Sequence, residues 1–595
     1  MGAWIALVLF GIVVVLVCFG LIAKIGFGNS SSNSSLKKGS VVVLNLSGQI
    51  VEKEQGGELD YMGLIMGDVN SESISLVSLK EAIKAAKDND YVSGMYIKCN
   101  GVSASPATLN ALRNCLLDFK QSGKPIITYS DTYSMGEYYI STVADFVFLN
   151  PAGKITLKGI GGQVLYYKDL LDKIGVNMQV VKVGTYKSAV EPYIMLEMSE
   201  PARAQLDTLY GEMWSIINES ISNSRKITQR NYIDSLINNE FLALREGDFD
   251  RKAKLVDGLY YERCMDSIVA SKVGVDKKKL NYVDIGDLYD GEFLQSAFSG
   301  KNQIAVLFAC GEIMDGGGSS VIDYYNFVPI ITSLADDDNI KGMVLRVNSP
   351  GGSAFGSEQI GEALEYFKSK GKPLAVSMGD YAASGGYWIS SGADRIFANE
   401  LTITGSIGIF GLIPDLSPLI KKIGVNPQLV STNPEASFPS IMKPLNERQY
   451  EAMQEMIEKG YDKFVKRVAT GRHMSEKKVR EIGEGRVWSA RKALEIGLVD
   501  EIGDLQDAVN WVAEKISVSN YSTPYYPLIE NSIWSYLNQM GGASIENKMK
   551  EILGTEYTRE LALQILILLN QYPVQAKMPV MDIRFDDNFI FPYKF

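Results

Sequence analysis

The chain opens on a polarity pattern that it does not repeat among its later segments. Ala3–Ile22 is twenty residues without a charge or a proline. At 1.5 Å per residue a helix of that length reaches about 30 Å, the depth of a bilayer core. The polar stretch Asn29–Ser35 follows it. A transmembrane anchor is therefore predicted within residues 1–28. A cleaved signal peptide fits less well: the run is too long, no basic residue precedes it, and no A-x-A site follows. Cys18 is not read as a lipidation site, because Val17 before it is bulky. Lys24, Lys37 and Lys38 follow the span, and charge bias alone would place that side in the cytoplasm. A second apolar stretch, Leu561–Leu569, is too short to span and is predicted to be a packing helix.

Between these stretches, short apolar runs alternate with amphipathic ones. Ile304–Phe308, Gly342–Val347 and Leu374–Met378 read as buried strands, and Ser357–Lys368 places Ile360, Leu364 and Phe367 at helical spacing. This alternation predicts βα units around a largely parallel sheet. Asn446–Ala469 reads as a long amphipathic helix with Tyr450, Met453, Met456, Ile457 and Tyr461 on one face, a stripe for core or inter-subunit packing.

The pattern also recurs. Asp172–Gln179 (DKIGVNMQ) returns 249 residues later as Lys421–Gln428 (KKIGVNPQ), and Asp131–Asp145 returns at the same offset as Asp380–Asp394. Lys124-Pro125 and Gly94-Met95 recur as Lys372-Pro373 and Gly342-Met343, one residue out of step. Such a period is too long for a solenoid and indicates a duplicated domain. The expected halves are residues 40–300 and 301–595.

Composition narrows the chemistry. Of 595 residues, 46% are hydrophobic and 22% charged, which suits a folded core. A net charge of −11 argues against binding a nucleic-acid backbone. Five cysteines without a CxxC exclude a Cys-rich zinc site. The single histidine, His473, excludes a multi-His metal site and leaves only one residue for any Ser-His-Asp triad. His473 precedes Ser475, a predicted helix N-cap, and is expected on the surface without catalytic duty.

Three segments carry candidate chemistry. Asn348-Ser349-Pro350-Gly351-Gly352-Ser353 lies between a strand and a helix, where Gly351 and Gly352 permit unusual dihedrals and leave N–H groups open to an oxygen. Its plainer reading is a strand-to-helix turn. Ala382-Ala383-Ser384-Gly385-Gly386-Tyr387 sets a serine among small residues, with Gly385 allowing a substrate carbonyl to approach; otherwise Ser384 is a helix N-cap. Gly184-Thr185-Tyr186-Lys187-Ser188-Ala189 holds Lys187, by itself a solvated loop lysine.

Together, N-S-P-G-G-S, A-A-S-G-G-Y-W and G-T-Y-K-S-A-V-E-P-Y resemble the long form of the signal peptide peptidase A family, bacterial protease IV. The resemblance extends from about residue 40 to the C-terminus, including Gly485–Asp504 and Asp582-Ile583-Arg584. It implies a membrane-anchored serine protease with tandem ClpP/crotonase-like α/β domains and a Ser/Lys dyad. Ser384 would be the nucleophile, Lys187 the general base and Ser406 the residue that orients the lysine. The substrates implied are signal-peptide remnants and other envelope polypeptides, with the catalytic domain periplasmic on the inner membrane, against the weak lysine bias. The family also implies a homotetramer in which neighbouring protomers supply the two dyad residues.

The repeat bears on this independently. Met135 stands opposite Ser384, Ser103-Ala104 opposite Gly351-Gly352, and Ala436 opposite Lys187. One half lacks the nucleophile and the other the base, so the expected site draws on both; a single chain could fold its own halves together to pair them, and the family resemblance tips the reading to pairing across a protomer boundary. Lysine ordinarily titrates near pH 10.4, and bringing it to about 7–8 requires about 4 kcal/mol of preference for the neutral amine, which burial supplies. Backbone N–H groups of Gly352 and Gly385 would meet the oxyanion. No metal or cofactor is expected. An acyl-CoA hydratase or isomerase of the same fold class would need neither an anchor nor a Ser/Lys pair. A non-catalytic membrane scaffold would not need to keep Ser384 and Lys187.

Overall fold

A computed structural model describes residues 36–52, 73–288, 301–317, 321–527 and 575–577. The predicted anchor at Ala3–Ile22 and the stretch Leu561–Leu569 lie outside the described residues. Among the described residues, no helix is long and apolar enough to cross a membrane.

Two largely parallel sheets of similar order form the framework. In the first, β1 (Ser40–Val51) pairs with β2 (Ser73–Ser75), β3 (Val92–Ser103) and β8 (Tyr282–Asp284). From β3 the sheet continues through β4 (Ile126–Ser130) and β5 (Phe146–Leu149) to β7 (Gly258–Leu259). In the second, β9 (Gln303–Cys310) pairs with β12 (Ile340–Ser349), which pairs with β14 (Leu374–Ala383), β15 (Arg395–Ala398) and β19 (Glu501–Ile502) in turn. The short strands β16 (Ile403–Gly405), β18 (Val487–Ser489) and β20 (Tyr525–Tyr526) complete it. The central strands β9 and β12 are buried along nearly their whole length, as expected of parallel strands covered on both faces.

A third sheet joins the halves. It runs β11 (Ile322–Asp323), β10 (Ile313–Met314), β13 (Gly351–Ser353), β21 (Gln575–Lys577), β17 (Ile409–Asp415) and β6 (Asn177–Val183). β6 of the first half pairs antiparallel with β17 of the second, from Ile409 opposite Val183 to Asp415 opposite Asn177.

Side chains reinforce this junction. Arg346 and Glu52 form a bidentate ion pair, with Nε–Oε2 at 3.0 Å and Nη2–Oε1 at 2.7 Å, and both are buried. The Thr108 N–H donates to Asp380 Oδ1 at 2.9 Å, and Asn348 Nδ2 donates to Asp380 Oδ2 at 3.0 Å. The chain from Thr108 through Asp380 thus ties the first half to the strand end that leads into Ser349–Gly352.

The long helix is Glu447–Gly471, opened by a capping box in which Asn446 and Gln449 satisfy each other's backbone N–H groups. Met453, Ile457 and Tyr461 are buried as the spacing predicts, but Tyr450 and Met456 are exposed. The buried stripe turns instead through Phe464, Val465 and Val468, because a 3.6-residue helix drifts off a straight line of positions.

Candidate active site

Ser384 sits where β14 ends and helix Gly385–Ser390 begins. Its φ of 56° and ψ of −116° are unusual for a residue with a Cβ, and its side chain makes no capping bond to the helix. Ser384 thus stands at the N-cap position, and its carbonyl accepts the Trp388 N–H at 2.8 Å, but its hydroxyl is not used for capping. Its own N–H donates to the Gly405 carbonyl at 2.8 Å, which holds the strained turn in place. Ser406, the residue just past the end of β16, also has positive φ, 52°, and its N–H donates to the Arg486 carbonyl at 2.7 Å.

Lys187 reaches this corner from the loop after β6. The β6–β17 pairing carries the loop across, and the Tyr186 N–H donates to the Glu484 carbonyl at 2.9 Å. Gly485 makes room for the lysine: its φ is +74°, and a Cβ there would fall 2.7 Å from Lys187 Cβ. Lys187 Nζ then lies 2.7 Å from Ser384 Oγ, 3.1 Å from Ser406 Oγ and 3.3 Å from the Ser406 carbonyl oxygen. The Phe410 ring centroid is 5.9 Å from Nζ.

All three side chains are fully buried. Lys187 is accordingly no solvated loop lysine. Burial pulls its amine well below the ordinary lysine value, and desolvation is the cause, since an ammonium loses its hydration there. A neutral amine has two N–H donors and one lone pair. The lone pair can accept the Ser384 hydroxyl proton while the N–H groups donate to the two Ser406 oxygens, which matches the three contacts.

The glycines occupy the facing turn. Gly351 and Gly352 have φ of +103° and +148°. A Cβ on Gly352 would lie 2.0 Å from the Ile313 carbonyl oxygen, so no side chain fits. The Gly351 N–H donates to Ser349 Oγ at 3.2 Å. Gly385 opens the helix directly after Ser384, and a Cβ on the next residue, Gly386, would fall 2.6 Å from the Ser349 carbonyl oxygen. The outer edge of this turn carries β21, antiparallel, with Gly351 opposite Lys577 and Gly352 opposite Ala576.

One expectation is corrected. Lys187 and Ser384 meet within a single chain, so the dyad is not shared between protomers. The reason is connectivity: β6 pairs with β17 of its own second half, which delivers the lysine to its own serine. Ala436, opposite Lys187 in the repeat, lies on an exposed loop, and Met135, opposite Ser384, is buried in the first-half core. His473 is exposed, ahead of Ser475, which caps helix Glu476–Ile482. Among the described residues, no cluster of His, Cys, Asp and Glu is arranged to hold a metal ion. Gly485 opens the segment Gly485–Asp504 of the resemblance, but no local signal marks it or Glu484 as neighbours of Lys187, since a glycine after a charged residue is common.

A profile of peptidase family S49 matches residues 118–275 and 366–519, one segment in each half. The chain is 36% identical over 515 residues to Protease 4 of Haemophilus influenzae, covering 82% of this chain and 81% of that one. It is 37% identical over 534 residues to Protease 4 of Salmonella typhi, covering 87% and 84%. A chloroplastic serine protease SPPA of Arabidopsis thaliana is 28% identical and covers 81% of this chain and 70% of its own. Among solved structures, a ClpP1 of Listeria monocytogenes aligns with a TM-score of 0.24 at 15% identity, over 35% of this chain and 95% of its own. Matched in both halves and related along most of its length to Protease 4 sequences, the chain belongs to peptidase family S49 and is a serine protease.

Proposed function

We propose that this protease cleaves peptides with Ser384 as nucleophile and Lys187 as general base, Ser406 holding the amine in line. One observation carries the reading: a fully buried lysine amine lies 2.7 Å from a serine hydroxyl on a strained turn. Neutral Lys187 takes the Ser384 proton as Oγ bonds to the scissile carbonyl carbon, whose oxygen becomes the oxyanion. The N–H groups of Gly352 and Gly385 are the donors proposed for it, on the turn and helix start that face each other. Collapse breaks the C–N bond, and Lys187 returns its proton to the leaving amine. Water then attacks the acyl-serine by the same route, and Ser384 is regenerated. With all three side chains closed off from solvent, substrate access requires a local opening of the surrounding walls.

The substrates proposed are cleaved signal peptides and other envelope polypeptides. The chain is read as anchored by Ala3–Ile22 in the bacterial inner membrane, its halves 40–300 and 301–595 on the periplasmic side, and as a homotetramer. What supports this is the apolar run and the similarity to Protease 4 sequences. Retention of both Ser384 and Lys187 favours catalysis over a scaffold, and their pairing gives acyl-CoA chemistry no role.

The experiment is hydrolysis of a fluorogenic lipophilic peptide, together with labelling by a serine-directed fluorophosphonate. Wild type should be labelled at Ser384 and should turn over the peptide, and Ser384→Ala should do neither. Full activity in Ser384→Ala would overturn the assignment.

A further inference from the structure

The segment Gly485–Trp488 borders the catalytic corner, and one side chain on it, Arg486, takes no part in the proposed chemistry. Its setting is unusual for a half-buried arginine. Among the described residues its guanidinium makes no ion pair and no hydrogen bond. It packs instead on two aromatic rings, 4.9 Å from the Tyr186 centroid and 4.2 Å from the Trp488 ring. A planar cation over such faces is attracted by their quadrupoles, more strongly as water is excluded.

Both rings lead to the dyad. Tyr186 immediately precedes Lys187, and its N–H donates to the Glu484 carbonyl at 2.9 Å. Trp488 is fixed by its own Nε1, which donates to the Ile482 carbonyl at 3.0 Å. Its ring lies against Gly405, where a Cβ would fall 2.8 Å from Cδ1. Gly405 is the residue whose carbonyl holds the Ser384 N–H, and the Arg486 carbonyl accepts the Ser406 N–H at 2.7 Å. One residue thus touches the loop that carries the base, the segment that carries Ser406 and, through Trp488, the anchor of the nucleophile.

Lys187 needs such support. Its amine ends a flexible four-carbon stem, and productive geometry tolerates displacements of only about 0.5 Å. The loop itself supplies little. From Gly184 to Ser188 its internal backbone bonds are Lys187 N–H to the Gly184 carbonyl, at 3.3 Å, and Ser188 N–H to the Tyr186 carbonyl, at 2.8 Å. Beyond the lysine the chain is tied separately. Buried Glu191 accepts the Ser199 hydroxyl at 2.7 Å, and Ser199 caps the 25-residue helix Glu200–Ser224. Gln205 of that helix accepts the Val487 N–H at 2.8 Å. Loss of the aromatic stack should therefore loosen the lysine without unfolding the chain.

We infer that Arg486 is a positioning residue for this protease: its guanidinium, packed on Tyr186 and Trp488, clamps the lysine loop to the segment that carries Ser406 and so sets where the Lys187 amine stands. The inference rests on the Ser/Lys reading above. The guanidinium bonds to neither dyad side chain, so its contribution is read in kcat rather than in KM. The plane matters as much as the charge, and a lysine in its place keeps the charge alone.

The test measures kcat and KM for the fluorogenic peptide in the full chain, with kcat referred to the sites that a fluorophosphonate labels at completion. Arg486→Ala should lower kcat per labelled site about ten-fold, the scale of two partly desolvated cation–π contacts, with KM nearly unchanged. Arg486→Lys should recover part of the rate. Tyr186→Phe should stay near wild type, and Tyr186→Leu should fall as far as Arg486→Ala. The double variant Arg486→Ala with Tyr186→Leu should lose little more than either alone, because both break one stack. A residue serving only the fold would lower Tm or the labelled fraction and leave kcat per site intact. That result, or losses that multiply in the double variant, overturns the positioning role. Should Arg486→Ala not fold, Arg486→Met keeps the bulk without the charged plane and is judged by the same ratio. Lys187→Ala is the reference: activity in it overturns the Ser/Lys reading, whereas an inactive Lys187→Ala beside an unimpaired Arg486→Ala overturns the positioning role alone.

Discussion

Lys187 Nζ and Ser384 Oγ are 2.7 Å apart within one chain, although 197 residues separate them and they belong to opposite halves. Each chain therefore holds a complete dyad. Chains carrying Lys187→Ala mixed with chains carrying Ser384→Ala should stay at background, because every chain has one broken site. Peptide hydrolysis by verified mixed oligomers measures this, and restored activity would show that the dyad residues exchange partners between chains.

The lowered affinity of Lys187 for its proton has a stability consequence of definite sign. In the native state burial favours the neutral amine, whereas the unfolded chain has an ordinary lysine near pH 10.4. Between the lowered native value and that ordinary one, the unfolded state binds more protons, so stability falls as pH falls. Lys187→Met should abolish activity yet raise Tm at neutral pH, with the gain shrinking towards pH 10. Calorimetry across that range is the check. The same titration predicts that kcat/KM of wild type rises with pH through the native lysine value.

Ser406 touches the amine and not the reacting bond in this arrangement. Loss of its hydroxyl should remove one hydrogen bond, about 1 kcal/mol, or roughly five-fold in kcat. Ser406→Ala should also move the acid limb of the pH profile, while Ser406→Thr should recover part of the rate. An unchanged profile in Ser406→Ala would remove it from the lysine's environment.

The buried pair Arg346–Glu52 ties the first half to the strand that leads into the Gly351-Gly352 turn. Glu52→Ala leaves the guanidinium buried without its partner and should cost about 3–5 kcal/mol. The double change to Glu52→Leu with Arg346→Met should be much milder. Urea unfolding of the three chains distinguishes these outcomes.

Asp250 is fully buried in the first half, and burial pushes its carboxyl up to about 7. The native state then holds a proton that the unfolded chain releases near pH 4, so stability declines as pH rises between these values. Asp250→Asn should raise Tm at pH 8 and have much less effect at pH 5, with peptide hydrolysis retained.

Much of this could be read from the sequence because it is local. Apolar runs such as Ile304–Phe308 and Leu374–Met378 specify buried strands by their own composition, and they lie in β9 and β14. Comparison of Asp131–Asp145 with Asp380–Asp394 exposed the duplication and showed that the serine and the lysine survive in different copies. What the sequence could not decide was which serine Lys187 meets. In either chain arrangement the motifs are the same; the outcome depends on β6 finding β17 of its own chain, a contact set by chain connectivity and packing. Burial of Lys187 is demanded by the chemistry its family resemblance implies but not by its flanking residues, which are those of a polar loop; Gly485, Phe410, Ser384 and Ser406 all close on it from the other half. Periodicity is written along the chain, whereas desolvation arises where distant segments close on one another.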